Sequence, residues 1–225
     1  MSMLSSMQRL RVNETLAALA ALGALTAIAV STCEWPPSGN RKIHEAIGRA
    51  LARQALGLLG SSGQITVIAR DTVAFKQPAS EILLESLKSE VRKVRATSVK
   101  TLELQVDPLR PVQVPPGDFF ELIRKASPGD VIVSLMGPPF LTEEQHVQLG
   151  AIKPRIVAFC SGNLADYIDL RALFDQQLLH AAVVSRPNAP GSTSNPEKPQ
   201  QSFEQLYAIV TATNPAPIPL PMASQ

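Results

Sequence analysis

Along the chain, short apolar runs alternate with stretches whose apolar residues fall three or four apart. The runs are residues 65–69 (ITVIA), 99–106, 131–135 (VIVSL), 155–160 and 181–184 (AAVV). Residues 99–106 alternate apolar and polar, as a half-buried strand does. The others are nearly continuous, the pattern of strands buried on both faces. Between them, Ile82, Leu83, Leu87, Val91 and Val94 line one helical face, Phe119, Phe120, Leu122 and Ile123 a second, Thr142 caps a short third helix, and residues 164–177 form a fourth. Repeated strand-then-helix units predict an α/β domain: a three-layer, doubly wound, mostly parallel sheet of about five strands over residues 61–187. An amphipathic helix over residues 41–60 precedes it. Its stripe is Ile43, Ile47, Leu51, Ala55, Leu58 and Leu59, and Gly60 is placed to end it.

The N-terminus carries a different pattern. Arg9 and Arg11 precede an uncharged run of Ala, Leu, Ile and Val over residues 15–32. As a helix it would be about 27 Å long, close to a hydrocarbon core of about 30 Å. Residues 1–33 are therefore expected to be a signal or membrane-anchor segment, with the basic flank cytoplasmic and the remainder exported. Three fates stay open: an uncleaved anchor, cleavage after the small residues 27–29, or lipidation. Val30-Ser31-Thr32-Cys33 resembles a bacterial lipobox, which would make Cys33 the lipidated residue, although Thr32 stands where such signals carry Gly, Ala or Ser.

Residues 34–40 (EWPPSGN) form a stiff linker and residues 188–201 an exposed one. Residues 202–225 hold an extra element that the pattern leaves between helix and strand, then a proline-rich tail. No internal repeat is present. With 21 basic and 19 acidic residues the formal charge is only +2, so no global field draws the chain to nucleic acid. Aromatic content of 4% is low for a carbohydrate or base-stacking platform. Cys33 and Cys160 make no disulfide framework, and neither zinc-site spacing nor HExxH occurs. No GxGxxG follows the first strand and no GxxxxGK[ST] is found, so no nucleotide cofactor is expected.

From residue 64 to 187 the order of elements resembles one lobe of a type I periplasmic binding protein. The likeness is carried by ITVIARD with its polar loop and long helix, then DVIVSLMG and PRIVAFCSG. It implies an exported Rossmann-like lobe and a small-solute ligand.

In open parallel sheets, ligands sit beyond the carboxyl ends of the strands. Candidate ligand-binding residues there are Asp71, Thr72, Gly137, Ser161, Asn163 and Arg186, all of which are also ordinary turn residue types. Asn163 additionally suits a helix N-cap. Cys160 at a strand end is a candidate nucleophile, with His146 or His180 as its base. Glu143 and Glu144 fall in a first helical turn, where acids complement the helix dipole. Lys88, Arg92, Lys93 and Arg95 form a basic helix end, read as a solvated face, with anionic lipid or an acidic partner as the alternative. No catalytic constellation emerges. The sequence therefore points to a membrane-tethered, extracytoplasmic, non-catalytic domain that binds a protein partner or scaffolds an envelope assembly. A single-lobe solute-binding or sensing module is the alternative, and an envelope hydrolase involving Asp71, Ser161 or Cys160 a third.

Overall fold

The computed structural model describes residues 38–73, 76–94, 99–106, 113–150, 153–162, 164–186 and 199–215. The expected targeting segment 1–33 with Cys33, the candidate Asn163 and most of the 188–201 connection lie outside them. The chain runs α1 (Ser38–Leu58), β1 (Ile65–Arg70), α2 (Pro78–Val94), β2 (Val99–Leu104), α3 (Pro116–Lys125), β3 (Val131–Ser134) and α4 (Glu143–Leu149). It continues through β4 (Arg155–Cys160), α5 (Leu164–Tyr167), α6 (Leu170–Asp175), β5 (Ala181–Ser185), α7 (Pro199–Leu206) and β6 (Tyr207–Thr211). Among the described residues no helix is long and apolar enough to cross a membrane.

One six-stranded sheet has the order β2-β1-β3-β4-β5-β6. β1 to β5 are parallel and β6 pairs antiparallel with β5. Successive residues on each inner strand feed opposite cores, as the pleat requires. Ile65 and Val67 of β1, Val131 and Val133 of β3, and Val157 of β4 pack beneath α1 and α2. Ile68, Ile132, Ile156, Ala158 and Cys160 point the other way, against α3 and the α5–α6 segment. The helix joining β1 to β2 thus covers one face, and those leading towards β5 cover the other. Right-handed crossovers running in opposite directions from the sheet centre produce this arrangement.

The stripe expected on the first helix is the one buried, with Ile47, Leu51 and Ala55 fully enclosed. α1 approaches α2 closely at Gly48, where an added Cβ would stand 2.9 Å from that of Ser86. Ser86 Oγ also donates to the Glu45 carbonyl at 2.8 Å. At the sheet's amino end the Asp130 carboxylate accepts from the Gln64 N–H and the Ser127 N–H, both at 2.8 Å, tying the entrances of β1 and β3 together.

Two sequence expectations change. Residues 202–213, ambiguous between helix and strand, supply both: α7 ends at Leu206 and β6 starts at Tyr207. The sheet gains a sixth strand because an antiparallel neighbour needs no crossover helix. The single helix expected over 164–177 is two short ones. Asp169 breaks it, its Oδ1 accepting from Ala172 N–H at 3.0 Å and so capping α6 anew.

α6 ends with Gln177 at φ 56°. Leu178 N–H donates to the Leu173 carbonyl at 2.9 Å and Gln177 N–H to that of Phe174 at 3.0 Å, the paired bonds of a Schellman motif. Glycine normally takes this left-handed position, since a Cβ there costs roughly 1 kcal/mol. Gln177→Gly should therefore stabilise the fold by up to about 1 kcal/mol, read as a higher urea midpoint with unchanged slope. A lower midpoint would contradict the assignment.

Candidate functional site

The chain leaves β1 towards β2 on one side and β3 towards β4 on the other, so the sheet's switch point lies between the carboxyl ends of β1 and β3. Asp71 and Thr72 follow β1, Gly137 follows β3 and Ser161 follows β4, which places these four on three neighbouring strands. Arg186 follows β5, three strand spacings from Asp71, or about 14 Å at about 4.8 Å each.

Asp71 is occupied by its own turn. Its N–H donates to the Leu104 carbonyl at 2.9 Å, Oδ1 accepts from Val73 N–H at 2.8 Å and Oδ2 from Gln105 Nε2 at 3.3 Å. The carboxylate thereby joins the ends of β1 and β2. Thr72 Oγ1 donates to Glu81 Oε1 at 3.4 Å, reaching the first turn of α2. Arg186 serves the far edge: its Nε–H is shared between the carbonyls of Glu204 at 2.8 Å and Tyr207 at 3.1 Å, closing the α7–β6 junction. The Ser161 carbonyl accepts from Leu164 N–H at 3.3 Å and its side chain is exposed. Gly137 has φ +90°, and a Cβ there would lie 2.9 Å from Leu164 Cδ2. Only glycine lets the β3–α4 loop pass so near α5.

That loop leads to a concavity the sequence reading missed. Pro139, Phe140 and Leu141 carry the chain from β3 to α4, whose start is fixed by a capping box. Thr142 Oγ1 accepts from Gln145 N–H at 3.3 Å, and Gln145 Oε1 accepts from Thr142 N–H at 3.0 Å. Opposite lie Tyr167, Ile168 and the capping Asp169. A groove of about 400 Å³ runs between α4 and α6 from the carboxyl rim. Five large apolar side chains are exposed among the described residues, and three of them line this groove: Phe140 at 54%, Val147 at 79% and Tyr167 at 65%. Glu143, His146, Asp169 and Gln176 supply polar groups along it. Apolar walls with a few polar groups are the usual composition of a ligand site, and clustered exposed apolar side chains mark a contact surface. The available signal was Phe140 directly after Gly137-Pro138-Pro139, an aromatic where a strand-end turn is ordinarily polar.

The catalytic candidates separate. Cys160 is fully buried, and burial pushes its thiol up to about 12, so it holds its proton at neutral pH. His180 stands level with Ile156, whose N–H it accepts on Nδ1 at 3.2 Å. Four residues of β4 separate that level from Cys160, about 13 Å along the strand. His146 lies on α4 in the groove. Glu143 and Glu144 occupy the first turn of α4. At the basic helix end, Lys93 and Arg53 pair with Glu90 at 3.0 and 3.3 Å. Among the described residues no group of three His, Cys, Asp or Glu could hold a metal ion.

No family model matches the chain, and no curated protein matches it. Solved structures do match. A sugar-binding protein of a sugar ABC transporter from Bacillus halodurans aligns with a TM-score of 0.51 at 11% identity, over 78% of this chain and 64% of that one. A solute-binding protein from Burkholderia graminis in complex with D-arabinose gives 0.49 at 18% identity, over 77% and 61%. AraP, an arabinose-binding protein from Geobacillus stearothermophilus, gives 0.48 at 10%, over 76% and 61%. The chain thus spans less than two thirds of these proteins. At such identities the likeness is one of fold, and the fold is that of a type I periplasmic binding protein-like lobe.

Two outcomes follow. In a Cys33→Ser chain, Cys160 should resist maleimide until denaturant is added; rapid labelling of the folded protein would contradict its burial. Burial also lowers the pKa of His44 and of His180, the latter further through the Arg155 charge. A histidine that binds its proton less readily when folded favours the unfolded chain once pH falls below its ordinary value of about 6.5. The urea midpoint should therefore drop between about pH 7 and pH 5.5, and drop less in His180→Asn.

Proposed function

We propose that this chain is an exported, single-lobe module that binds a small polyhydroxylated solute in the groove between α4 and α6. The observation that carries this reading is the grouping of Phe140, Val147 and Tyr167 around one concavity that opens at the carboxyl rim. The sugar-binding protein of the same fold supports the choice of solute. Ring faces of Phe140 and Tyr167 would take the C–H faces of a sugar-like ligand, with Glu143, Asp169 and Gln176 meeting its hydroxyls. Thr72, Gly137 and Ser161 would border the mouth. A groove open to solvent encloses a ligand only partly, so affinity should be modest, about 1 mM.

Isothermal titration of the full chain in detergent, with a panel of pentoses and hexoses, tests the proposal. Phe140→Ala and Tyr167→Ala should each weaken the best ligand roughly tenfold, while Asp71→Asn should leave it unchanged. No heat from any member at tens of mM would overturn it. Loss of binding in Thr72→Ala or Ser161→Ala alone would relocate the ligand to the rim.

The same exposed patch favours a second reading, a membrane-tethered domain whose groove receives an envelope protein partner. Native mass spectrometry of the gently solubilised protein separates the two. A stoichiometric protein complex lost in Val147→Ser supports docking, and a lone chain with a small-molecule adduct supports the solute.

A further inference from the structure

At the opposite end of the sheet, the amino ends of β4 and β5 border a second concavity of about 580 Å³. Its chemistry follows from the strand register. Val157 pairs with Ala181, so the first residues of β4 stand beside the residue that opens β5. Lys153, Arg155 and His180 line the cavity together, with Leu58 and Pro128 as its accessible apolar residues and the buried Phe174 and Leu179 behind them.

The wall has more donors than acceptors. His180 Nδ1 accepts from Ile156 N–H at 3.2 Å, so the neutral ring carries its proton on Nε2, and that proton has no acceptor among the described residues. The Arg155 guanidinium likewise has none, and its charge is felt by the His180 ring. Lys153 Nζ spends one donor on the Gln176 carbonyl at 3.3 Å, which holds the ammonium at the end of α6. The acceptors on the lining are the side chains of Asp175 and Gln177, both exposed and bonded to none of these donors. Two cations and a histidine N–H therefore face one carboxylate.

We propose that this amino-end cavity is a binding site for a small organic oxyanion, a carboxylate or a phosphate monoester. Its charged group is held by Arg155, Lys153 and the His180 Nε2–H, and its apolar body lies against Leu58 and Pro128. The oxyanion accepts the donors that lack partners, and Arg155 suits it through its planar fork. The volume exceeds what inorganic phosphate fills, which favours a ligand with an apolar body. The cavity adjoins the α4–α6 groove at the end of α6, where Gln176 lines the groove and its carbonyl holds Lys153. The two have different lining residues, and the oxyanion site does not rest on the solute-binding reading.

The test uses the full chain in detergent, with histidine ring signals followed by NMR across pH. Phosphate, phenyl phosphate, acetate and benzoate are compared with chloride at matched ionic strength. An oxyanion beside the ring favours its protonated form, so the His180 titration should move upward with the ligand and not with chloride. Phenyl phosphate or benzoate should act at lower concentration than phosphate or acetate, and whichever series is tighter names the headgroup. Arg155→Gln should weaken binding at least tenfold and abolish the movement, and Lys153→Gln should weaken it less. Arg155 is exposed, so an unchanged melting curve will show that the variant folds. Equal effects of chloride, or binding that survives Arg155→Gln, would overturn the site.

Discussion

The structure depends on one constraint: the backbone ladder of β1, β3, β4 and β5 is sealed between helices on both faces. Every inner strand must then present apolar side chains in both directions, which is why its residues divide between two cores. Within the described residues the one buried polar residue is Ser134, and its Oγ accepts from Met136 N–H at 3.3 Å. A polar group placed there without such a partner would cost a few kcal/mol. Chemistry is therefore driven to the ends of the strands and to the helix surfaces.

The two ends then differ in kind. At the carboxyl end, turn-forming residues consume their own polar groups. Asp71 spends both oxygens on the β1–β2 corner, and Arg186 spends its Nε–H on the α7–β6 junction. What remains open there is apolar, the groove between α4 and the α5–α6 segment that Asp169 divides. At the amino end the reverse holds. Short connections bring Lys153, Arg155 and His180 to the surface with donors to spare.

Much of this fold was legible in the residues. Continuous runs such as VIVSL and RIVAFC permit little besides a two-sided burial, and the stripe Ile47-Leu51-Ala55 is the buried one. The division of α5 from α6 was less legible, because Asp at position 169 is tolerated on an exposed helix face and becomes a cap only when its side chain turns back onto the backbone. The strand at 207–211 was ambiguous because helix and strand abut without a turn. The candidate site was legible only in part. Asp71, Thr72, Gly137 and Ser161 were placed on neighbouring strands, but the exposure of Phe140, Val147 and Tyr167 depends on which neighbours cover them.

The amino-acid sequence by itself determined the layers, the parallel character and the places where the chain turns. These depend on periodicity and turn chemistry, which are local. Strand order, the antiparallel edge, the partners of Asp71 and Arg186, and the convergence of Arg155 with His180 were decided only by the tertiary structure. Each requires residues far apart in the chain to share one register, and no local pattern records which strand lies beside which.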